Sequence, residues 1–76
     1  MTPQEAEQAV LDEAAVLLEI QSHGDEERTK ALGMTKIGRI LVVVFTFRGA
    51  AIRPITAYTA TAVLQGLYLK RENHDS

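Results

Sequence analysis

Arg39-Ile40-Leu41-Val42-Val43-Val44-Phe45-Thr46-Phe47-Arg48 is the stretch that decides the fold, because it places β-branched or aromatic residues on both alternate faces. A strand with one wet face would alternate apolar and polar side chains. Here Leu41, Val43, Phe45 and Phe47 point one way and Ile40, Val42, Val44 and Thr46 the other, which predicts a buried central strand. Material from both sides of this strand, or from a second copy of the chain, has to cover it.

Working outward, Gly49-Ala50 reads as a tight hairpin turn into a third strand, Ala51-Ile52-Arg53-Pro54-Ile55-Thr56-Ala57. Pro54 cannot donate a ladder hydrogen bond, so that strand is at an edge there, or bulged. On the other side, Thr35-Lys36-Ile37-Gly38 makes a turn back to Glu27–Met34, a strand of mostly polar aspect expected at an edge or half exposed. The three pieces form an antiparallel meander with strands at about 27–34, 39–48 and 51–57.

Helices are expected at both ends. Thr2-Pro3-Gln4-Glu5 is a helix start, with Thr2 as cap, Pro3 at the first helical position and Glu5 completing a capping box. Ala6, Ala9, Val10, Ala14, Leu17 and Leu18 keep to one stripe. Two ends fit this helix. Asp12 closes it early, leaving Ala15-Val16-Leu17-Leu18 extended, or it runs on; the longer reading puts it at about 2–19. A second helix, capped by Thr59 or Thr61, is expected over about 59–71, followed by a polar tail at 72–76. Its stripe Ala60, Val63, Leu64 and Leu67 is widened by Ala62, Tyr68 and Leu69, the pattern of a helix buried on more than one side or meeting a partner. Gly66 in its middle costs roughly 1 kcal/mol relative to alanine, which suggests either a close backbone approach or a tolerated weak spot. The class is α+β, one domain over residues 1–76.

A chain of 76 residues buries only roughly 60% of the surface its unfolded form exposes. With no cysteine to form disulfides or thiolate metal sites, oligomerisation is the expected supplement. No run approaches the 18 apolar residues of a membrane span. The start Met1-Thr2-Pro3-Gln4-Glu5 lacks a positive signal region, so a cytoplasmic protein is expected. His23 lies in the polar segment Gln21-Ser22-His23-Gly24-Asp25 and His74 in the tail; neither has partners at metal-ligand spacing, and no metal or cofactor is read.

The net charge of −2 conceals a split: residues 1–27 carry eight acidic and no basic side chains, whereas residues 28–76 carry eight basic and two acidic ones. Such asymmetry suits a second part that meets a polyanion, although strand rims and helix surfaces also sort charge this way. No helix rich in Arg, Asn or Gln is offered to a major groove, which ranks a DNA-binding module last.

Glu26-Glu27-Arg28, Leu32-Gly33, Thr35, Gly38-Arg39, Leu41-Val42-Val43-Val44-Phe45-Thr46, Arg48-Gly49, Ile52-Arg53, Ile55-Thr56-Ala57 and Ala60-Thr61 together resemble the BrnT-type toxins. The resemblance covers about residues 2–61, since Pro3-Gln4-Glu5-Ala6-Glu7 is similar to that family's second helix. It implies a small cytoplasmic ribonuclease toxin of a type II toxin-antitoxin system, with a RelE-like fold, neutralised by a BrnA-type antitoxin. RNA cleavage of this kind needs cations that hold phosphate and stabilise the charge building on it, a task suited to the planar fork of arginine. By resemblance Arg39, Arg48 and Arg53 are the catalytic candidates, with Arg28, Lys30 and Lys36 as further RNA-binding residues.

This sequence also departs from the family. The expected N-terminal strand and helix with a Trp-Asp pair and a Lys-rich helix are missing, so the chain reads as N-terminally shortened. Tyr58 stands in place of an arginine, Phe47 in place of a glutamate, and Leu64 where a glutamate would complete a capping box with Thr61. The cationic C-terminal helix has become apolar, which favours packing over phosphate contact. A homodimer is predicted, with Val63, Leu64, Leu67 and Tyr68 at its interface. Two functions follow: a BrnT-like ribonuclease toxin, provided that activity survives these substitutions, or a catalytically inactive BrnT-like homodimeric protein-interaction module.

Overall fold

A computed structural model describes residues 3–72 of the chain. The elements are helix α1 (Pro3–Val10), strands β1 (Val16–His23), β2 (Glu26–Met34), β3 (Ile40–Arg48) and β4 (Ala51–Thr59), and helix α2 (Ala62–Glu72). The class is α+β. The four strands form one antiparallel sheet in the order β1-β2-β3-β4.

The sheet has one more strand than the meander expected, and the first helix is correspondingly short. Asp12 ends the helical run: its Oδ1 accepts from Ala14 N at 3.0 Å and its Oδ2 from Met34 N at 2.9 Å. A carboxylate engaged with backbone amides in this way offers the chain an alternative to a further helical turn. The segment after it pairs with β2 as β1, with a bulge between Leu17 and Glu19, and turns back at Gly24, where φ is +60°. This pairing makes β2 an interior strand, half exposed over residues 26–30, so of the two expectations the half-exposed one holds and the edge one does not. Thr2, Asn73, His74 and the rest of the tail at 73–76 lie outside the described residues.

β3 is buried on both faces over most of its length, as its sequence requires. On the first face Leu41, Val43 and Phe45 pack with Ala31 under Ala6 and Ala9 of α1. On the second, Ile40 and Val42 pack with Leu32, Ala60 and Tyr68, flanked by Leu64 of α2 and by Val16 and Leu18 of β1. Helix α1 sits directly on the sheet because residue 33 has no side chain: a Cβ there would lie 1.9 Å from the Ala9 carbonyl oxygen. Gly66 has nothing within 4 Å of that position, which fits the tolerated weak spot and not the close backbone approach.

Pro54 falls where the third strand was expected to be at an edge or bulged. β4 is the outer strand, and its register against β3 shifts between Val44 and Phe45, leaving Ile55 as the extra residue. Thr61 caps α2, its Oγ1 accepting from Leu64 N at 3.3 Å. Tyr68 is 2% exposed and belongs to its own chain's core, so among the four expected interface residues it faces inward, and Leu64 is half buried beside it. Val63 and Leu67 face outward. Beyond Val42 the apolar cluster of the second face ends: Val44 is half buried, Thr46 is still buried and Arg48 is exposed, and this half carries the cations described next.

Candidate nucleic-acid interface

Strand alternation assigns each cation to a face. On β2, Arg28 and Lys30 share the parity of Leu32, so they stand on the second face. On β3, Arg48 follows Val42, Val44 and Thr46 on that same face. On β4, Arg53 pairs with Thr46, and the exposed Tyr58 pairs with Val42 at the covered end. Three adjacent strands thus bring Arg28, Lys30, Arg48 and Arg53 to one half of one face.

The electrostatics report the same grouping. Glu26 Oε1 accepts from Arg28 Nε at 2.8 Å. That hydrogen bond holds the Glu26 carboxyl below its ordinary value against an opposing effect of burial, and the charges of Arg28, Arg48 and Arg53 lower it further. A carboxylate that three guanidiniums stabilise marks a place where an anion is favoured, and a phosphate group is an anion of suitable geometry for arginine forks.

Arg39 is elsewhere. It precedes β3 while Arg48 ends it, a separation of about 30 Å along an extended strand. Its Nη1 donates to Glu5 Oε2 of α1 at 3.2 Å, and its backbone amide donates to Thr35 Oγ1 at 3.1 Å in the β2–β3 turn. Lys36 lies in that same turn, where its backbone amide donates to Gln8 Oε1 at 3.1 Å. The expected set of cations is therefore split: Arg28, Lys30, Arg48 and Arg53 gather at one end, and Arg39 and Lys36 at the other.

Where the Arg48 end of β3 meets the start of β2, the sheet opens. The β2–β3 ladder ends at Thr29↔Phe45, although both strands continue. Thr46, only 5% exposed, donates its hydroxyl to the Glu27 carbonyl at 2.9 Å across the gap. The cleft left there has a volume of about 560 Å³ and is lined by Asp25, Glu26, Glu27, Thr46, Phe47 and Arg48. Glu26 was missed by sequence reasoning; its signal is the Glu-x-Arg spacing that puts it on the same side of a strand as Arg28.

A family model described as ribonuclease toxin, BrnT, of type II toxin-antitoxin system matches residues 1–63. The chain belongs to the BrnT family. The match spans every strand and ends as α2 begins, so the arginines of the second face lie within the BrnT region and most of α2 lies beyond it. A search of the curated proteins and of the solved structures gives no match. As a member of a toxin-antitoxin family, this BrnT chain has an antitoxin as its implied partner. No helix among the described residues is long and apolar enough to cross a membrane.

Proposed function

We propose that this chain is a BrnT-type toxin acting in the cytoplasm as a ribonuclease, and that a BrnA-type antitoxin neutralises it. The observation that carries this reading is the convergence of Arg28, Arg48 and Arg53 on one open sheet face around Glu26. In-line cleavage of RNA builds negative charge on a phosphate, and preformed guanidiniums stabilise that charge more than they stabilise the ground state. An incoming phosphate takes the place of the Glu26 carboxylate among the arginines. Lys30 extends the cationic strip along the RNA backbone. Arg39, tied to Glu5 at the far end, holds α1 to the sheet and lies outside this site.

Growth after induced expression tests the reading, comparing wild type with Arg53→Ala and Arg39→Ala at matched protein level. Arrest by wild type and by Arg39→Ala, lost in Arg53→Ala, is the expected result. A folded wild-type chain that fails to arrest growth would remove the ribonuclease assignment.

A second reading, a catalytically inactive homodimeric interaction module, has its own observation. Val63 is 82% exposed, and Leu67, one turn further along the same side of α2, is 43% exposed. Apolar side chains grouped on an exposed helix fit a helix-to-helix contact between two copies. Sedimentation of wild type against Val63→Glu and Leu67→Glu distinguishes the readings: a dimer dispersed by these changes supports the module, and a wild-type monomer rejects it.

A further inference from the structure

We propose that the cleft between the splayed ends of β2 and β3 seats one nucleobase bearing an exocyclic amine, stacked on Phe47 and hydrogen-bonded through that amine to Glu27. This rests on the RNA-binding reading and gives it a base preference.

Phe47 continues the face of Leu41, Val43 and Phe45, yet it is 61% exposed while those three are buried. Its ring meets Phe45 edge to face, with centroids 5.6 Å apart and planes at 80°. The edge contact fixes the ring while leaving aromatic surface open to a planar ligand. Base–aromatic stacking is a common way for proteins to hold single-stranded nucleic acid. The cleft volume is also of the size that accommodates small ligands.

The polar lining decides which base fits. Apart from Arg48 and the Thr46 hydroxyl, the polar side chains of the cleft are the carboxylates of Asp25, Glu26 and Glu27. Ionised carboxylates only accept hydrogen bonds. Glu26 is engaged with Arg28, whereas Glu27 has the opposite strand parity and lies on the side of Phe47. Cytosine, adenine and guanine present an exocyclic amine to such an acceptor; uracil offers only its N3–H, flanked by two carbonyl oxygens that the carboxylate repels, so it is the poorer partner. The Asp25 and Glu27 carboxylates repel phosphate, which keeps the RNA backbone over the arginines of the second face and turns the base across the sheet end.

Fluorescence anisotropy with 2′-O-methyl pentacytidylate and pentauridylate, which resist cleavage at the blocked 2′-hydroxyl, tests this on the full chain. Wild type should bind the cytidine oligomer about tenfold more tightly than the uridine one, the scale of one hydrogen bond to a charged group. Phe47→Leu, which keeps an apolar side chain but no ring, should weaken cytidine binding about fivefold or more, and Phe47→Trp should preserve it. Glu27→Gln, able to donate as well as accept, should erase the preference. Salt-sensitive, Arg53-dependent binding that is equal for both oligomers and indifferent to Phe47→Leu would overturn the base site while sparing the arginine reading. Absence of binding to either oligomer would overturn both.

Discussion

The hydroxyl of Tyr68 in α2 donates to Asp12 Oδ2, joining residues 56 positions apart, and the same carboxylate accepts the backbone amides of Ala14 and Met34. One side chain therefore ends α1, starts the approach to β1, fixes the end of β2 and anchors α2. Tyr68 supplies the apolar half of that anchor against Leu32, Ile40 and Val42. The second face of β3 at Ile40 and Val42 is thus covered by α2 through Tyr68, with Leu64 packed beside it.

Tyr68→Phe should lose about 1–2 kcal/mol, because it keeps the ring and removes one hydrogen bond to a charged group. In a domain this small, that corresponds to a fall in Tm of about 5–10 °C. Tyr68→Ala should cost about 3–5 kcal/mol through the cavity left behind. Urea denaturation of the three proteins checks the ranking, and a Tyr68→Phe chain as stable as wild type would dismiss the hydroxyl's contribution.

Acid should loosen the same knot. Burial raises the Asp12 pKa, but hydrogen bonds from Tyr68, Ala14 and Met34 outweigh it and set the group below its ordinary value of 3.8. A carboxyl whose pKa is depressed on folding stabilises the native state above its unfolded pKa, and that stabilisation fades as pH falls through the folded value. Wild type should therefore lose more stability than Asp12→Asn as pH drops from about 5 to below 3.8. Denaturant midpoints for the two proteins at several pH values across this window provide the check; parallel curves would rule out Asp12 as the source.

Two glycines should respond oppositely to the same substitution. Gly33→Ala places a methyl 1.9 Å from the Ala9 carbonyl oxygen, so α1 must lift from the sheet. A loss of about 3 kcal/mol or more is expected, at or beyond the usual range for overpacking. Gly66→Ala meets nothing within 4 Å in the exposed middle of α2 and should gain up to about 1 kcal/mol from helix propensity. Thermal melts of both variants decide this, and a neutral Gly33→Ala would mean that α1 does not rest on residue 33.

Sequence made the central strand legible because β3 needs both faces covered, and it placed Gly38 and Gly49 in turns, where φ is positive at both. It left β1 open: of the two helix ends, the one at Asp12 with residues 15–18 extended is the one that holds, but spacing alone did not choose it. Leu17 and Leu18 continue the helical stripe of Ala6, Ala9 and Ala14, and the bulge beside Leu18 breaks the period-two alternation that would have exposed a strand. The residue that separates the two periodicities is Asp12, whose role depends on Met34 and Tyr68, contacts that local spacing cannot show. The arginines were legible as residue types but not as a site. Arg39 and Arg48 bracket one strand in sequence and for that reason stand at its opposite ends, while Arg28 and Arg53 reach Arg48 only through the pairing of three strands.

Salt dependence gives the arginine cluster a quantitative signature. Each phosphate contact to single-stranded RNA contributes a slope of about −0.7 in log affinity against log salt. Three contacts, at Arg28, Arg48 and Arg53, predict a slope near −2 for wild type by the same counting. Arg53→Ala should lower affinity at low salt and make the slope shallower by about 0.7, whereas Arg39→Ala, at the opposite end of β3 from the cluster, should leave the slope unchanged. Anisotropy titrations of a cleavage-resistant oligonucleotide from 20 to 200 mM salt, on the order of the range where such slopes are measured, read this directly. Equal slopes for wild type and Arg53→Ala would mean that Arg53 makes no phosphate contact. A slope reduced by Arg39→Ala would instead place RNA on the α1 end of the sheet, away from the cluster around Glu26.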